Sequence, residues 1–77
     1  MSENTRSKKS LFSVPESGGY SVQSNLGDGR FARIMLCAHE NQAKSVVRIA
    51  NAIRTELPKI SDSDSVKLAS DIVFEVA

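Results

Sequence analysis

The sequence predicts a small, mainly helical domain, with an α+β fold of one β-hairpin packed on two helices as the alternative. Two observations favour helix. Apolar residues recur at helical spacing in two segments between about 42 and 76. The segment 31–38 contains one β-branched residue, Ile34, among good helix formers. A chain of 77 residues with a single Cys cannot form an internal disulfide, and so small a core usually needs other support. We therefore expect it to associate with a partner or with itself.

Residues 1–19 are predicted to be a flexible tail, and residues 20–77 a single small domain. Ser, Lys, Glu, Gly and Pro dominate the first segment, a composition typical of disorder. Leu11 and Phe12 belong to an apolar island within it, "LFSVP". Such an island can anchor a disordered segment to a partner. The alternative is that it folds back onto the domain or stays loose.

A short strand or a hairpin is predicted near residues 20–36, and residues 31–38 allow two interpretations. Tyr20 and Val22 alternate with polar neighbours, as in a short strand, and "GDG" at 27–29 is a turn signal. Residue preference makes 31–38 a helix with Asp28 as its N-cap. The continuous apolar run from Ile34 to Ala38 suits a buried strand equally well, and that strand would complete a β-hairpin with a long loop.

Two helices are predicted at about 42–57 and 62–76, joined by a short connection that would make them antiparallel neighbours in a helical hairpin. Pro58 ends the first helix. Ser61, with Asp64 three residues later, resembles a capping box at the start of the second. Phe74 falls off the apolar stripes, whose members are Ala43, Val46, Ile49, Ala50, Ile53 and Leu57, then Val66, Ala69, Ile72, Val73 and Val76.

Cys37, His39 and Glu40 place a thiol, an imidazole and a carboxylate within four positions. In a helix, residues two apart point about 200° apart, so the thiol and the imidazole could not form a nucleophile–base pair. One His and one Cys are also too few for a closed zinc site. The segment "GDGR" lacks the glycine pattern of phosphate-binding loops. We expect no catalytic residues, no cofactor and no metal, and hence no enzyme.

The first function hypothesis is a non-enzymatic protein-binding module: an adaptor, an inhibitor or a subunit of an assembly, as in small phage or plasmid accessory proteins. Its partner would be another protein or a second copy. Residues 28–59 carry six basic and three acidic groups, whereas 60–77 carry one and four, so complementary surfaces could set the orientation. The expected anchors are apolar residues of the tail and of the second helix: Leu11, Phe12, Leu68 and Phe74.

The alternative hypothesis is a dimeric nucleic-acid-binding regulator. Basic and amide side chains recur on the outer face of the first helix, where they could enter a DNA major groove. A solvated helix face is the ordinary explanation of such a pattern. The residues concerned are Lys44, Arg48, Asn51 and Thr55, extended by Arg30 and Arg33 and by the basic tail residues Arg6, Lys8 and Lys9.

No membrane interaction is predicted. The sequence has no apolar run of about 18 residues, its formal net charge is only +1, and its basic start is not followed by an apolar signal region. A lone free thiol suits a reducing compartment. We therefore expect a cytoplasmic location.

Overall fold

The computed structural model describes residues 11–76, which form three strands followed by two helices. The strands make one antiparallel sheet in the order β1-β2-β3. Both helices follow the sheet in sequence, so the fold is α+β. The elements are β1 (Leu11–Glu16), β2 (Gly19–Gly27), β3 (Arg30–Cys37), α1 (Glu40–Glu56) and α2 (Asp62–Val76).

The predicted mainly α fold is therefore wrong, and the error lies in residues 11–38. The segment 31–38 was expected to be helical with Asp28 as N-cap, but Arg30–Cys37 is a strand paired with β2. Helix preference is a weak local effect, and strand pairing with burial against a helix overrides it here. The α+β alternative had one hairpin, whereas the sheet has three strands.

The additional strand, β1, lies within the predicted tail. Leu11 is 3% exposed and belongs to the core, while Phe12 and Val14 are half-buried on the opposite side of the strand. Ser13 and Pro15 lower the hydrophobicity of this stretch, so its alternation was too weak to identify a strand from composition. Residues 1–10, which include Arg6, Lys8 and Lys9, lie outside the described residues.

Tight turns join the strands. Asp28 and Gly29 have φ of 56° and 75°, the left-handed pair that a two-residue type I′ turn requires. The Asn25 side-chain carbonyl accepts a hydrogen bond from the Gly27 N–H at 2.9 Å, which helps to start this turn. The "GDG" turn was thus predicted correctly, but the loop is shorter than the hairpin alternative assumed.

A β-bulge interrupts β3. Val22 pairs with Met35, yet the next residue of β2, Gln23, pairs with Arg33. Ile34 is therefore an extra residue between the two pairs, and the alternation of side chains along β3 shifts by one. As a consequence, Arg33 and Leu36 lie on the same face of the sheet although they are three positions apart.

The core lies between one face of the sheet and α1, which contacts all three strands, while α2 packs on α1. It is built from small side chains: none of the chain's three phenylalanines is among its buried members. Those members are Leu11, Val22, Cys37, Ala43, Val46, Ala50, Val66 and Ala69.

The start of α2 is tied to the rest of the fold. The Ser61 hydroxyl accepts a hydrogen bond from the Asp64 N–H at 3.0 Å, which confirms the predicted N-cap. Asp62 accepts a hydrogen bond from the Ser24 hydroxyl of β2. It also forms an ion pair with Arg54 of α1, in which Arg54 Nε lies 2.8 Å from Asp62 Oδ1. One carboxylate therefore joins α2 to both the sheet and α1.

Within residues 11–76, no helix is long and apolar enough to cross a membrane.

Candidate functional site

The face of the sheet opposite α1 carries the most distinctive surface of the described residues. Strand alternation and the pairing register place nine side chains on it. We call this surface the open face. Its members are Phe12, Val14 and Glu16 of β1, Ser21, Gln23 and Asn25 of β2, and Phe31, Arg33 and Leu36 of β3.

A polar network occupies the middle of the open face. Arg33 Nη1 lies 2.7 Å from Glu16 Oε1. The second carboxylate oxygen, Oε2, accepts hydrogen bonds from the Ser21 hydroxyl at 3.0 Å and from Gln23 Nε2 at 3.1 Å. Gln23 Nε2 also donates to the Ser21 hydroxyl at 2.9 Å. The long side chains close over Ser21, which is fully buried.

Apolar side chains flank this network. The rings of Phe12 and Phe31 meet edge to face, with centroids 5.6 Å apart, a preferred geometry for aromatic pairs. Phe31 is nevertheless 55% exposed and Leu36 46% exposed. Leu36 pairs across the sheet with Ser21, which pairs in turn with Val14. The apolar groups therefore lie on both sides of the polar centre.

This arrangement favours binding over chemistry. Glu16 and Arg33 cancel each other's charge, and both oxygens of the Glu16 carboxylate accept hydrogen bonds. A partner that covers the carboxylate therefore does not leave it unpaired, whereas the remaining N–H groups of Arg33 need acceptors on the partner. Aromatic residues and Arg with few uncompensated charges are characteristic of interface centres.

The predicted protein-binding residues do not form one surface. Leu11 is a core residue, and Phe12 lies on the open face. Leu68 and Phe74 are 45% and 42% exposed on α2, and their spacing places them about 120° apart around the helix. Ile72, predicted to be buried, is 46% exposed beside Leu68.

The predicted nucleic-acid-binding residues are also divided. Lys44, Arg48 and Thr55 are exposed on α1, and Asn51 is half-buried there. Lys44 forms an ion pair with Glu40, with Nζ 3.1 Å from Oε2. Arg30, exposed at the start of β3, and Arg33, on the open face, belong to the sheet. Since α1 packs on the other face, Arg33 cannot extend the α1 patch.

Cys37, His39 and Glu40 are not brought together. Cys37 is 2% exposed at the end of β3, and burial raises the pKa of its thiol. His39 is the exposed N-cap of α1 without a side-chain capping bond, and exposed Glu40 pairs with Lys44. Residues 11–76 contain no group of three or more His, Cys, Asp or Glu placed to hold a metal ion.

Sequence reasoning missed most of the open face. Val14 and Glu16 lie in the segment predicted to be a flexible tail, while Gln23 lies in the predicted short strand, whose exposed face was not considered as a site. The available signal was the alternation Phe12-Val14-Glu16, which matches Tyr20-Val22 in period. The contribution of Leu36 had no such signal, since it depends on the bulge at Ile34.

Comparisons of the chain with protein-family models, with curated proteins and with solved structures gave no match. Function is therefore inferred from the geometry.

Proposed function

We propose that this chain is a non-enzymatic protein-binding module whose binding surface is the open face of the sheet. The observation that carries the proposal is the combination of an aromatic pair, exposed Phe31 and half-buried Phe12, with the charge-neutral network around Glu16. An uncovered sheet face with this composition resembles the centre of a protein interface.

The dimensions of the open face indicate the shape of the partner segment. Three strands span only about 10 Å across, since neighbouring strands are about 4.8 Å apart, whereas nine-residue β2 extends roughly 30 Å. A long, narrow surface suits an extended segment better than a broad globular one. Phe31 and Leu36, the most exposed apolar members, are the expected anchors.

A cytoplasmic location is part of the same proposal. The single cysteine is a buried free thiol, which suits a reducing compartment.

Selection of peptides on the immobilised full chain tests the binding surface. Peptides from a random displayed library are first enriched on the immobilised chain. The enriched peptides are then synthesised with a fluorophore, and their affinities for the parent chain and its variants are measured by titration. We expect Phe31→Ser and Leu36→Ser each to weaken binding at least tenfold, because they remove exposed anchors. The matched control is Phe74→Ser, which replaces an apolar residue that is 42% exposed on α2. The proposal would be contradicted if the peptides bound Phe31→Ser and Leu36→Ser as tightly as the parent chain but lost affinity for Phe74→Ser.

DNA binding by α1 is a second candidate, supported by the exposure of Lys44, Arg48 and Thr55 on one helix face. Its test is fluorescence anisotropy of a labelled duplex at about 50 and 200 mM salt. A protein with about six phosphate contacts should lose roughly a thousandfold in affinity over that range. Tight binding that falls steeply with salt and with Arg48→Ala would favour this candidate. We expect no such binding, because Lys44 is already paired with Glu40 and the sheet arginines do not join the patch.

A further inference from the structure

We propose that β3 of a second copy pairs with the outer edge of β3, so that two sheets join edge to edge into one six-stranded sheet. The inference goes beyond the proposed function, because it uses the edge of β3 and leaves the open face uncovered.

The outer edge of β3 is open to pairing. It is an edge strand of eight residues without proline, and within residues 11–76 no strand pairs with its outer side. Such an edge presents a row of N–H and C=O groups that another strand can use. The other edge, β1, contains Pro15, which has no N–H to donate and disfavours a further strand. The edges are therefore unequal, and β3 is the better template.

The open-face side chains of β3 are complementary to their own copies. Antiparallel pairing about a twofold axis between Arg33 and Ile34 sets Phe31 of one copy opposite Leu36 of the other, and symmetry repeats the pair. Both residues are about half exposed and lie on the same face. The bulge at Ile34 makes this possible, since in a regular strand residues five apart would point to opposite faces.

The charge at the centre of this contact also suits a second copy. The twofold axis brings two Arg33 side chains near each other, and unpaired like charges on facing strands repel. Each Arg33 is held at 2.7 Å from Glu16 of its own chain. Each Arg33 is therefore neutralised within its own copy. The Glu16 network thus reduces the repulsion between the two Arg33 side chains, in addition to any effect on the fold.

The size of the contact sets its expected strength. Edge pairing of two eight-residue strands falls short of the roughly 800 Å² per partner of a standard stable interface. We therefore expect a reversible dimer with a dissociation constant of roughly 1–100 μM, as for small transient interfaces.

Analytical ultracentrifugation of the full chain, from about 1 μM to 1 mM, tests the inference. The mass should rise from 8.4 kDa towards twice that value. Amide hydrogen exchange should slow in β3 as the dimer forms and remain unchanged in β1. A monomer at every concentration, or slowed exchange confined to the helices, would overturn the inference.

Four variants identify the surface. Phe31→Ser should raise the dissociation constant at least tenfold, whereas the matched Phe74→Ser should leave it unchanged. Glu16→Gln should raise it several-fold by leaving Arg33 unpaired, and either added salt or the double variant Glu16→Gln/Arg33→Gln should reverse that increase. An unaltered constant in Phe31→Ser would refute edge pairing, provided circular dichroism shows the variant folded.

The two proposals fail separately. A strictly monomeric chain whose selected peptides still depend on Phe31 keeps the binding face and excludes the second copy. Peptide binding that is indifferent to Phe31 removes the binding face itself.

Discussion

Gly19 lies against the main chain at the end of β3. A Cβ atom at this position would stand 2.3 Å from the carbonyl oxygen of Cys37, which is backbone and cannot rotate away. The absence of a side chain therefore allows β2 to pair closely with β3 just before α1 begins. In the sequence, Gly18 and Gly19 look like equivalent turn residues, so this difference could not be predicted from residue type.

Gly19→Ala should destabilise the protein by about 1–3 kcal/mol, the usual cost of forcing extra atoms into a packed site. The control, Gly18→Ala, meets no atom within 4 Å but has φ of 89°, so it should cost only about 1 kcal/mol of backbone strain. Urea unfolding of both variants measures the difference. Equal losses would mean that the backbone of β3 shifts freely.

The thiol of Cys37 should make stability fall at alkaline pH. Burial raises its pKa in the folded state, so above about pH 8.5 the unfolded thiol ionises while the folded one does not. Ionisation then favours the unfolded state until the pH passes the folded pKa. Unfolding free energies of the wild type should drop above this pH relative to Cys37→Ala. Parallel curves for the two proteins would show that the thiol is accessible.

Among the elements, the helices and the short strand near Tyr20 were predictable, and β1 and β3 were not. The 3.6-residue period placed helices at about 42–57 and 62–76, and the structure has them at Glu40–Glu56 and Asp62–Val76. Pro58 and Ser61 are local signals that mark the boundary between them. The local strand preference of β1 and β3 is weak, because β1 contains Ser13 and Pro15 and β3 consists mainly of good helix formers. The exposed sheet face follows from the pairing of these strands, so the candidate site could not be predicted either.

At the scale of elements, Asp62 joins α2 to both the sheet and α1. Its carboxylate joins α2 to Ser24 and to Arg54, and the Asp62 and Arg54 side chains are 26% and 19% exposed. Asp62→Asn should cost about 1–3 kcal/mol, the range for hydrogen bonds to a charged group. Asp64→Asn is the control, since Asp64 shares the favourable first turn of α2 but is exposed. A thermal melt in which both variants lose equally would assign the effect to the helix dipole.

For the whole molecule, the distribution of large side chains is unusual. The core consists of Leu, Val, Ala and Cys, while Phe31, Leu36, Ile72 and Phe74 are among the exposed apolar residues. A core of small side chains buries little area per residue, and burial is the main source of stability. Size and composition predict a small core, but they do not show that Phe31 and Phe74 lie outside it.

If the second copy binds only the folded chain, stability should depend on concentration. At a protein concentration about 100-fold above the dissociation constant, association should stabilise the folded chain by about 1–3 kcal/mol. The unfolding midpoint should therefore be higher there than at concentrations below the dissociation constant. Calorimetry at several concentrations measures the effect. Phe31→Ser should show a midpoint independent of concentration, and a similar dependence in that variant would place the association elsewhere.

The burial of Leu11 also has a consequence for folding kinetics. The strands form a meander of neighbours in sequence, and the two helices are likewise neighbours, so most pairings close short loops and should form early. Leu11, at the start of the described chain, reaches the core only when α1 packs on β1. This docking closes a loop that contains all of β2 and β3, so we expect it to follow the rate-determining step of folding. Substitutions at Leu11 should then mainly accelerate unfolding, while substitutions in the β2–β3 turn should slow folding.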